Sequence, residues 1–435
     1  MKLQIFQSDT GDCVLLESED GRRILCDGGM ASSMEEHVSP VLAKLRKANK
    51  AIDSIYVSHI DKDHISGVLK LLQDELAWRL YEHHKKKPNN KKKEPKVPRP
   101  PKIGGIWHNA FRAQVGTNAD AVEDLLAASV PSLLSSRVPD FQETGEELYS
   151  IATAVDEAIK VSRLVSPDLL KIPLNKIPGT SGAPKLLMLR KNQKPFKVGS
   201  LKFTIIGPGR NELEQLYEGW NNWLDDNKAT VVAINAKMKK AIDEFSSGAA
   251  SSIALNWEGM PNFKGVSVPN IASLMFMVEE GDTRLLLTGD SQQLIILDGL
   301  RKTGFLDDGV GLHVDVLKVQ HHGSKNNLDA NFVKLVSADH YVFGANGDHN
   351  NPKPEVINFI YESRLGPESV RTRAAKAKNR PFKMWFSSTS KLGPSNAGEV
   401  AHMRLVEKTV KGLVQKSNGK MKAFFNDGAF MTLKV

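Results

Sequence analysis

The stretch SHIDKDHISG, residues 58–67, places two histidines and two aspartates within six positions, His59 to His64. Alternate residues of an extended segment point the same way, so His59 and Asp61 can share one target while Asp63 and His64 turn toward a second. Imidazole and carboxylate ligands without thiolate suit Zn²⁺, Mn²⁺ or iron. The pattern predicts a metal-binding bend, with a polar turn that only caps a helix as the alternative.

Further metal-capable side chains follow apolar runs downstream. Asp290 ends TRLLLTGD, His321 and His322 follow VDVLKVQ, and His349 comes shortly after HYVFGAN. In layered α/β folds, sites assemble just past the ends of strands. We therefore expect these side chains to converge on the bend. His108, at the end of the apolar run in KIGGIWHNA, is a candidate for substrate binding, with a packing role as the alternative.

Strands and helices must position these residues. Short apolar runs between turn residues predict strands through residues 1–60, and strands alternate with helices again over residues 198–365. The pattern predicts a single α/β domain over residues 1–435, a helical insertion over 117–173 and a C-terminal extension over 366–435. The predicted helices that flank the candidate residues are EEHVSPVLAKLRKAN, SGVLKLLQDELAWRLYEHH, SQQLIILDGLRKTG and KPEVINFIYESRL.

Several segments together resemble the metallo-β-lactamase superfamily, in the same order along the chain. They are GDCVLLESEDGRRILCDGG, SHIDKDHISG, LKFTIIGPG, NIASLMFMV, LLLTGD, LKVQHHGS and HNNPKPEVI. The usual signature of that family is His-x-His-x-Asp-His, and Asp61 stands here in place of the second histidine. This variant resembles the hydrolase domain of the bacterial competence DNA-uptake channel ComEC and related free-standing hydrolases. The resemblance covers roughly residues 1–110 and 198–365 and implies a four-layer αββα sandwich.

The resemblance also implies two divalent metal ions, Zn²⁺ or Mn²⁺. The implied ligands are His59 and Asp61 for the first ion, Asp63 and His64 for the second, Asp290 between them, and His349 with one of His321 and His322 to complete the shells. Asp27 would support the metal loop by hydrogen bonding rather than bind metal. The family's third histidine has no clear match, and His108 is the only histidine in that interval besides His83 and His84.

The implied chemistry is attack by a hydroxide that two metals activate. Asp63 would orient the nucleophile, and the histidine of the 321–322 pair that does not bind metal would face the substrate. We take His321 as the ligand and His322 as the catalytic group, although the sequence does not distinguish them. Ser324 and Lys325 are candidates for holding a phosphate oxygen. The extra carboxylate of Asp61 favours Mn²⁺ or Mg²⁺ relative to an all-imidazole site.

The net charge of +9 reflects one segment in particular. KKKPNNKKKEPKVPRPPK, residues 85–102, has eight lysines, one arginine and one glutamate. Such a composition cannot bury a core and predicts a disordered loop, either an arm that contacts phosphates or a solvated linker. Exposed loops are also sites of proteolytic nicking, so a further hypothesis is that a regulatory protease opens the site by cleaving here.

The sequence therefore favours a metal-dependent phosphodiesterase that cleaves nucleic acid, with DNA as the expected substrate. The alternatives are a small-molecule phosphodiesterase, a phosphorylcholine-type esterase or a lactonase on the same fold, and a non-catalytic, metal-stabilised binding module. With no apolar run of 18 residues, no signal peptide and only two cysteines, a cytoplasmic protein without membrane contact is expected. The oligomeric state is not indicated.

Overall fold

The computed structural model describes residues 1–86, 93–110, 157–180, 182–215, 218 and 272–435. Most of the predicted helical insertion lies outside these residues. Within the insertion, residues 157–165 are helical. The domain boundaries predicted from the sequence therefore remain predictions.

Fourteen strands run through the described residues. They are β1 (Lys2–Phe6), β2 (Val14–Glu17), β3 (Arg23–Cys26), β4 (Ser54–Tyr56), β5 (Ile106–Trp107), β6 (Phe196–Val198), β7 (Leu201–Gly207), β8 (Met275–Glu280), β9 (Thr283–Leu287), β10 (Leu312–Lys318), β11 (Val336–Phe343), β12 (Phe382–Phe386), β13 (Met421–Phe425) and β14 (Phe430–Lys434). One sheet has the order β14-β1-β2-β3-β4-β5, and the other the order β13-β12-β11-β10-β9-β8-β7-β6.

Helices cover the outer faces of both sheets. They are α1 (Ser39–Lys47), preceded by a π-helical turn (Met34–Val38), α2 (Lys62–Lys85), α3 (Gln293–Lys302), α4 (Ala330–Leu335), α5 (Pro354–Leu365) and α6 (Ala397–Lys416). None of the helices described is both long and apolar enough to cross a bilayer.

The side chains of each inner strand alternate between two cores. In β2, Val14 and Leu16 pack with Phe203 and Phe276 in a cluster between the sheets, whereas Leu15 packs in a cluster with residues of α1 and α2. A third cluster joins the second sheet to α3, α5 and α6. Because a strand has a side-chain period of two, this alternation requires covered faces on both sides of each sheet. The four-layer αββα sandwich predicted from the sequence is confirmed.

Parallel pairing brings the carboxyl ends of several strands to one edge. In the second sheet β9, β10, β11, β12 and β13 are parallel, and in the first sheet β3, β4 and β5 are parallel. The candidate residues Asp27, His59, His108, Asp290 and His322 all follow the ends of such strands. This edge is where the sequence predicts the site.

The C-terminal residues complete both sheets. β12 and β13 extend the second sheet, while β14 pairs antiparallel with β1 in the first. Helix α6, which the sequence reading did not identify, packs its buried positions Met403, Val406 and Val410 inward. Residues 366–435 thus supply three strands and one helix to the sandwich.

One end of the Lys-rich segment contacts α2. Residues 87–92 lie outside the described part of the chain, but the Trp78 indole donates to the Val97 carbonyl, 3.0 Å away. Arg99 pairs with Glu82 and lies over the Trp78 ring, 5.6 Å from its centroid. The guanidinium of Arg99 is therefore already engaged within the fold.

Two glycines allow the metal-binding bend to lie against the loop after β3. The Gly28 amide donates to the His64 carbonyl and the Gly67 amide to the Gly29 carbonyl, each over 2.9 Å. A Cβ atom at Gly67 would lie 2.0 Å from the Gly28 oxygen, closer than any van der Waals contact allows. The absence of a side chain at Gly67 therefore fixes how closely α2 approaches β3.

We expect Gly67→Ala to destabilise the protein by about 1–3 kcal/mol or more through overpacking, although alanine has the higher helix propensity by about 1 kcal/mol. Gly412→Ala in α6 is the matched control, because a Cβ there meets nothing within 4 Å. That control should be neutral or stabilising by up to about 1 kcal/mol. Urea unfolding of both variants measures the difference, and equal effects would contradict the close approach.

Candidate metal centre

The bend between β4 and α2 positions the first group of candidate ligands. Helix α2 begins at Lys62, about four residues earlier than the sequence pattern predicts, and Asp61 is its N-cap residue. Asp63 and His64 therefore lie in the first helical turn, with their backbone fixed by the helix. Asp63 is close to the helix N-terminus, where a carboxylate is favoured by the helix dipole.

Four donor atoms from three distant parts of the chain face one another. His322 Nε2 lies 2.9 Å from Asp63 Oδ2 and 3.0 Å from Asp290 Oδ2, while His64 Nε2 lies 3.6 Å and 3.4 Å from the same two oxygens. A tetrahedral ion with ligands at about 2.1 Å separates them by roughly 3.4 Å. We call Asp63, His64, Asp290 and His322 the four-donor cage, and its spacing suits a divalent cation.

The histidine rings are held in the orientation that metal binding requires. Nδ1 of His64 donates to Asp27 Oδ2 over 3.0 Å, and Nδ1 of His322 donates to the Gly344 carbonyl. An imidazole that donates through Nδ1 presents the lone pair of Nε2. Neither Nε2 atom has a hydrogen-bond partner among the described residues, although both are buried. A bound cation would satisfy these two atoms.

Ser58 fixes the third ring in the same way. Its hydroxyl donates to Asp27 Oδ2 over 2.8 Å and so accepts from Nδ1 of His59, 3.0 Å away. Nε2 of His59 then faces Asp61 Oδ2 at 3.4 Å, again without a hydrogen-bond partner in the described part of the structure. His59 and Asp61 form a second pair of donors, beside the cage, because the His59 and His64 ring centroids are 4.2 Å apart.

His108 is the remaining unsatisfied imidazole at this edge. It is fully buried, and neither of its ring nitrogens has a hydrogen-bond partner among the residues described. Burial is the main cause that lowers the pKa of His108 to about 4; Asp27 opposes this shift and His59 adds to it. A neutral imidazole beside His59 makes His108 the candidate for a further ligand to an ion at His59 and Asp61.

A buried lysine, Lys318, forms ion pairs with Asp290 of the cage and with the neighbouring Asp12. Lys318 Nζ pairs with Asp12 Oδ2, lies 3.2 Å from Asp290 Oδ1 and donates to the Gly289 carbonyl over 3.1 Å. Asp12 also lies within 4.8 Å of the ligand atoms of His64, Asp290 and His322. However, its carboxylate faces Nδ1 of both histidines, at 3.9 and 3.8 Å, and not Nε2. Asp12 is thus a partner of Lys318 rather than a member of the cage.

The carboxylates of the site create a strong preference for positive charge. Burial alone would lower the pKa of His64, but Asp290, Asp63 and Asp27 raise it well above its ordinary value. Burial likewise opposes the shift at His322, yet Asp290 and Asp63 are the main groups that raise its pKa to about 10. In the absence of metal, protons on the imidazoles provide the charge that a cation would supply.

The structure separates the two neighbouring histidines. Both have left-handed backbone conformations, with φ of 46° at His321 and 55° at His322, and this tight turn points the rings in different directions. His322 joins the cage, whereas Nδ1 of His321 lies 2.8 Å from Asn327 Oδ1. His322, and not His321 as expected from the sequence, therefore lies among the candidate metal ligands.

Other predicted site residues lie apart from the cage. The His349 side chain is 88% exposed and contacts Asp348, so the structure does not bring it to the described donors. Ser324 is buried and its hydroxyl accepts from the Asn326 amide, while Lys325 is exposed. Of the residues predicted from the sequence, the structure brings His59, Asp61, Asp63, His64, Asp290, His322, Asp27 and His108 to one edge.

Sequence reasoning missed Asp12, Ser58 and Lys318. Lys318 interrupts the apolar run VDVLKVQ, and Asp12 directly precedes the apolar run CVLLE. A charged residue inside a buried strand requires a partner of opposite charge. That signal was present in the sequence, but the identity of the partner depends on long-range packing.

We expect Lys318→Met to destabilise the metal-free protein by about 3–5 kcal/mol, because it leaves Asp12 and Asp290 buried without a partner. Added Mn²⁺ should recover part of this loss, since it supplies positive charge beside Asp290. Urea unfolding with EDTA and with Mn²⁺ measures both effects. Lys422→Met, at an exposed position on β13, is the control and should change little in either condition.

Comparison with known proteins agrees with this geometry. Residues 8–147, about a third of the chain, match the family model of the metallo-beta-lactamase superfamily. No curated protein matches the chain. The two sheets and their helices are consistent with the sandwich of that superfamily, whose members typically bind divalent metals, often Zn²⁺. Residues 8–147 thus match a metallo-beta-lactamase superfamily domain, and such a domain with this cluster of ligands implies a metal-dependent hydrolase.

Proposed function

We propose that the protein is a metal-dependent phosphodiesterase that hydrolyses nucleic acid, with DNA as its substrate. The observation that carries the proposal is the four-donor cage with two unsatisfied Nε2 atoms. The resemblance of SHIDKDHISG and LKVQHHGS to the ComEC-like branch supports a nucleic-acid substrate over a lactam or lactone. An aspartate at position 61, where the family usually has histidine, makes the site richer in oxygen ligands.

The four-donor cage would hold one divalent ion, and His59, Asp61 and His108 would hold a second. When bound, such ions lower the pKa of water and neutralise charge that develops on a phosphodiester. Asp27 and Ser58 keep the histidine rings in place, and Lys318 fixes Asp290 by holding its Oδ1. These residues orient the ligands and touch no substrate themselves.

Asp61 and Asp63 mark the open side of the site. Their side chains are 30% and 24% exposed, whereas those of His59, His64 and Asp290 are almost completely buried. Water and substrate must therefore approach from the side of these two carboxylates. Asp63 Oδ1 or Oδ2 would accept a hydrogen bond from the attacking water and so orient it toward phosphorus.

His321 can contribute a hydrogen-bond acceptor beside the cage. The side-chain nitrogen of Asn327, Nδ2, donates to the Asp290 carbonyl over 3.0 Å. The Oδ1 atom of Asn327 therefore faces His321 and accepts from its Nδ1–H. The Nε2 atom of His321 then carries a lone pair, and burial keeps the ring neutral by lowering its pKa. His321 would accept a proton or a hydrogen bond from water.

The contrast between His322 and His349 tests the ligand set. We expect His322→Asn to reduce metal content and phosphodiester hydrolysis by more than about 100-fold, because it removes a direct ligand and not merely a supporting group. His349→Asn should retain both, since that side chain is exposed. Elemental analysis and turnover of bis-p-nitrophenyl phosphate provide the measurements. A His349→Asn variant without metal, or a fully loaded His322→Asn variant, would contradict the assignment.

Metal preference tests the role of Asp61. Mn²⁺ should support activity at least equal to that with Zn²⁺, because oxygen-rich sites favour harder cations. Metal-free protein is loaded with either Mn²⁺ or Zn²⁺ and incubated with single-stranded DNA, duplex DNA or RNA. Gel electrophoresis measures cleavage. EDTA should abolish cleavage. Asp63→Asn protein, prepared in parallel, detects a contaminating nuclease, and cleavage equal to wild type would end the proposal.

A further inference from the structure

A second basic segment begins at the end of the helical insertion and runs through β6 and β7. Residues 169–211 contain nine lysines and arginines and no aspartate or glutamate. The nine are Lys171, Lys176, Lys185, Arg190, Lys191, Lys194, Lys197, Lys202 and Arg210. We call residues 169–211 the strap. Unlike the Lys-rich segment 85–102, all but one of its residues, Ser181, are described by the structure.

The central cations of the strap form no ion pair with any other residue that the structure describes. Lys185, Arg190, Lys191, Lys194 and Lys197 are exposed, and none forms an ion pair with another described residue. By contrast, Lys202 pairs with Glu279 over 2.6 Å and Arg210 lies 3.9 Å from Glu214. Five exposed cations within thirteen positions repel one another unless an anion lies across them.

Side-chain amides fasten the strap to the edge of the sheet that carries the metal centre. Asn175 exchanges two hydrogen bonds with the His108 backbone, at 2.8 and 2.9 Å. Asn109 does the same with the Leu187 backbone, at 2.8 and 2.7 Å. The Asn175 side chain also donates to the Lys185 carbonyl. Hydrogen bonds thus hold the strap against His108 and Asn109. The exposed cations lie at and directly after these bound positions along the chain.

A cavity opens within this surface. It has a volume of about 490 Å³ and is lined by Met188, Leu189, Arg190, Lys191 and Arg210. The Leu189 amide donates to the Pro208 carbonyl, which joins the strap to the end of β7. Three cationic side chains thus surround a concave surface at the end of β7.

We propose that the strap binds the phosphate backbone of nucleic acid and leads it to the metal centre. This inference rests on the proposed function and specifies where that function's substrate binds. Several unpaired cations spread along the chain suit a row of phosphates, whereas a single nucleotide would engage only one or two. Contacts of this kind are salt-dependent and independent of base sequence.

The test removes three of the free cations. Arg190→Gln/Lys191→Gln/Lys194→Gln protein is titrated into fluorescent 30-nucleotide DNA, single-stranded and duplex, and anisotropy is measured in EDTA so that no cleavage occurs. We expect the dissociation constant to rise at least about tenfold at 150 mM salt. The slope of log affinity against log salt should fall by about 2 to 3 for duplex, given roughly 0.9 per phosphate contact.

A matched control on α6 carries the same change in charge. Arg404, Lys408 and Lys411 are exposed and form no ion pair with other described residues. Arg404→Gln/Lys408→Gln/Lys411→Gln should bind DNA within twofold of wild type. This control should also hydrolyse bis-p-nitrophenyl phosphate with Mn²⁺ at the wild-type rate, because it does not alter the cage.

The outcomes separate this inference from the proposed function. The inference is overturned if the strap variant binds DNA as tightly as wild type, or if the control loses as much affinity for DNA as the strap variant. This holds even where phosphodiester hydrolysis is found. Selective loss of binding in a protein that hydrolyses no phosphodiester supports the strap as a nucleic-acid surface and overturns the proposed activity. Binding to phosphatidylglycerol vesicles without DNA binding at 50 mM salt also overturns the inference.

Discussion

The structure depends on the burial of several carboxylates around three imidazoles. Removing a carboxylate from water is costly unless a positive partner or hydrogen-bond donors replace the lost hydration. Lys318 meets this need for Asp12 and one oxygen of Asp290, and Ser58 and His64 meet it for Asp27. Asp63 and the other oxygen of Asp290 instead face histidine Nε2 atoms. A cation between these atoms is the arrangement that satisfies donors and charges together.

The fold brings these charges together through strand ends and close backbone contacts. Asp27, the bend at His59, Asp290 and His322 all follow the carboxyl ends of parallel strands, and these ends lie at one edge of the sandwich. The approach of Gly28 to Gly67 then sets the distance between the β3 loop and the first turn of α2. A shift of about 1 Å in either loop would separate the ring of His64 from Asp27. The cage is therefore as much a product of backbone packing as of its ligands.

Much of this arrangement could be predicted from the sequence, because local pattern determines it. The strands, the α/β layers and the acids and histidines after strand ends follow from apolar periodicity and residue type. The choice between His321 and His322 could not be made, since it depends on two left-handed residues in one turn. Asp12 and Lys318 pair across more than 300 positions, so only the folded chain shows their contact. Helix α6 lies within the predicted C-terminal extension, for which the sequence analysis predicts no helix.

The distribution of charge bears on the proposed nucleic-acid substrate. The Lys-rich segment carries +8 and the strap +9, so the remaining residues carry about −8 in a chain of net charge +9. A polyanion is repelled by that remainder and attracted to the two basic segments, of which the strap is fastened beside His108. Electrostatic complementarity of this kind raises association rates and fixes the orientation of approach more than it adds affinity. An acidic metal site alone would repel a nucleic acid. In the proposed function, the strap would supply the opposing attraction, so that a cluster of carboxylates could act on a phosphodiester.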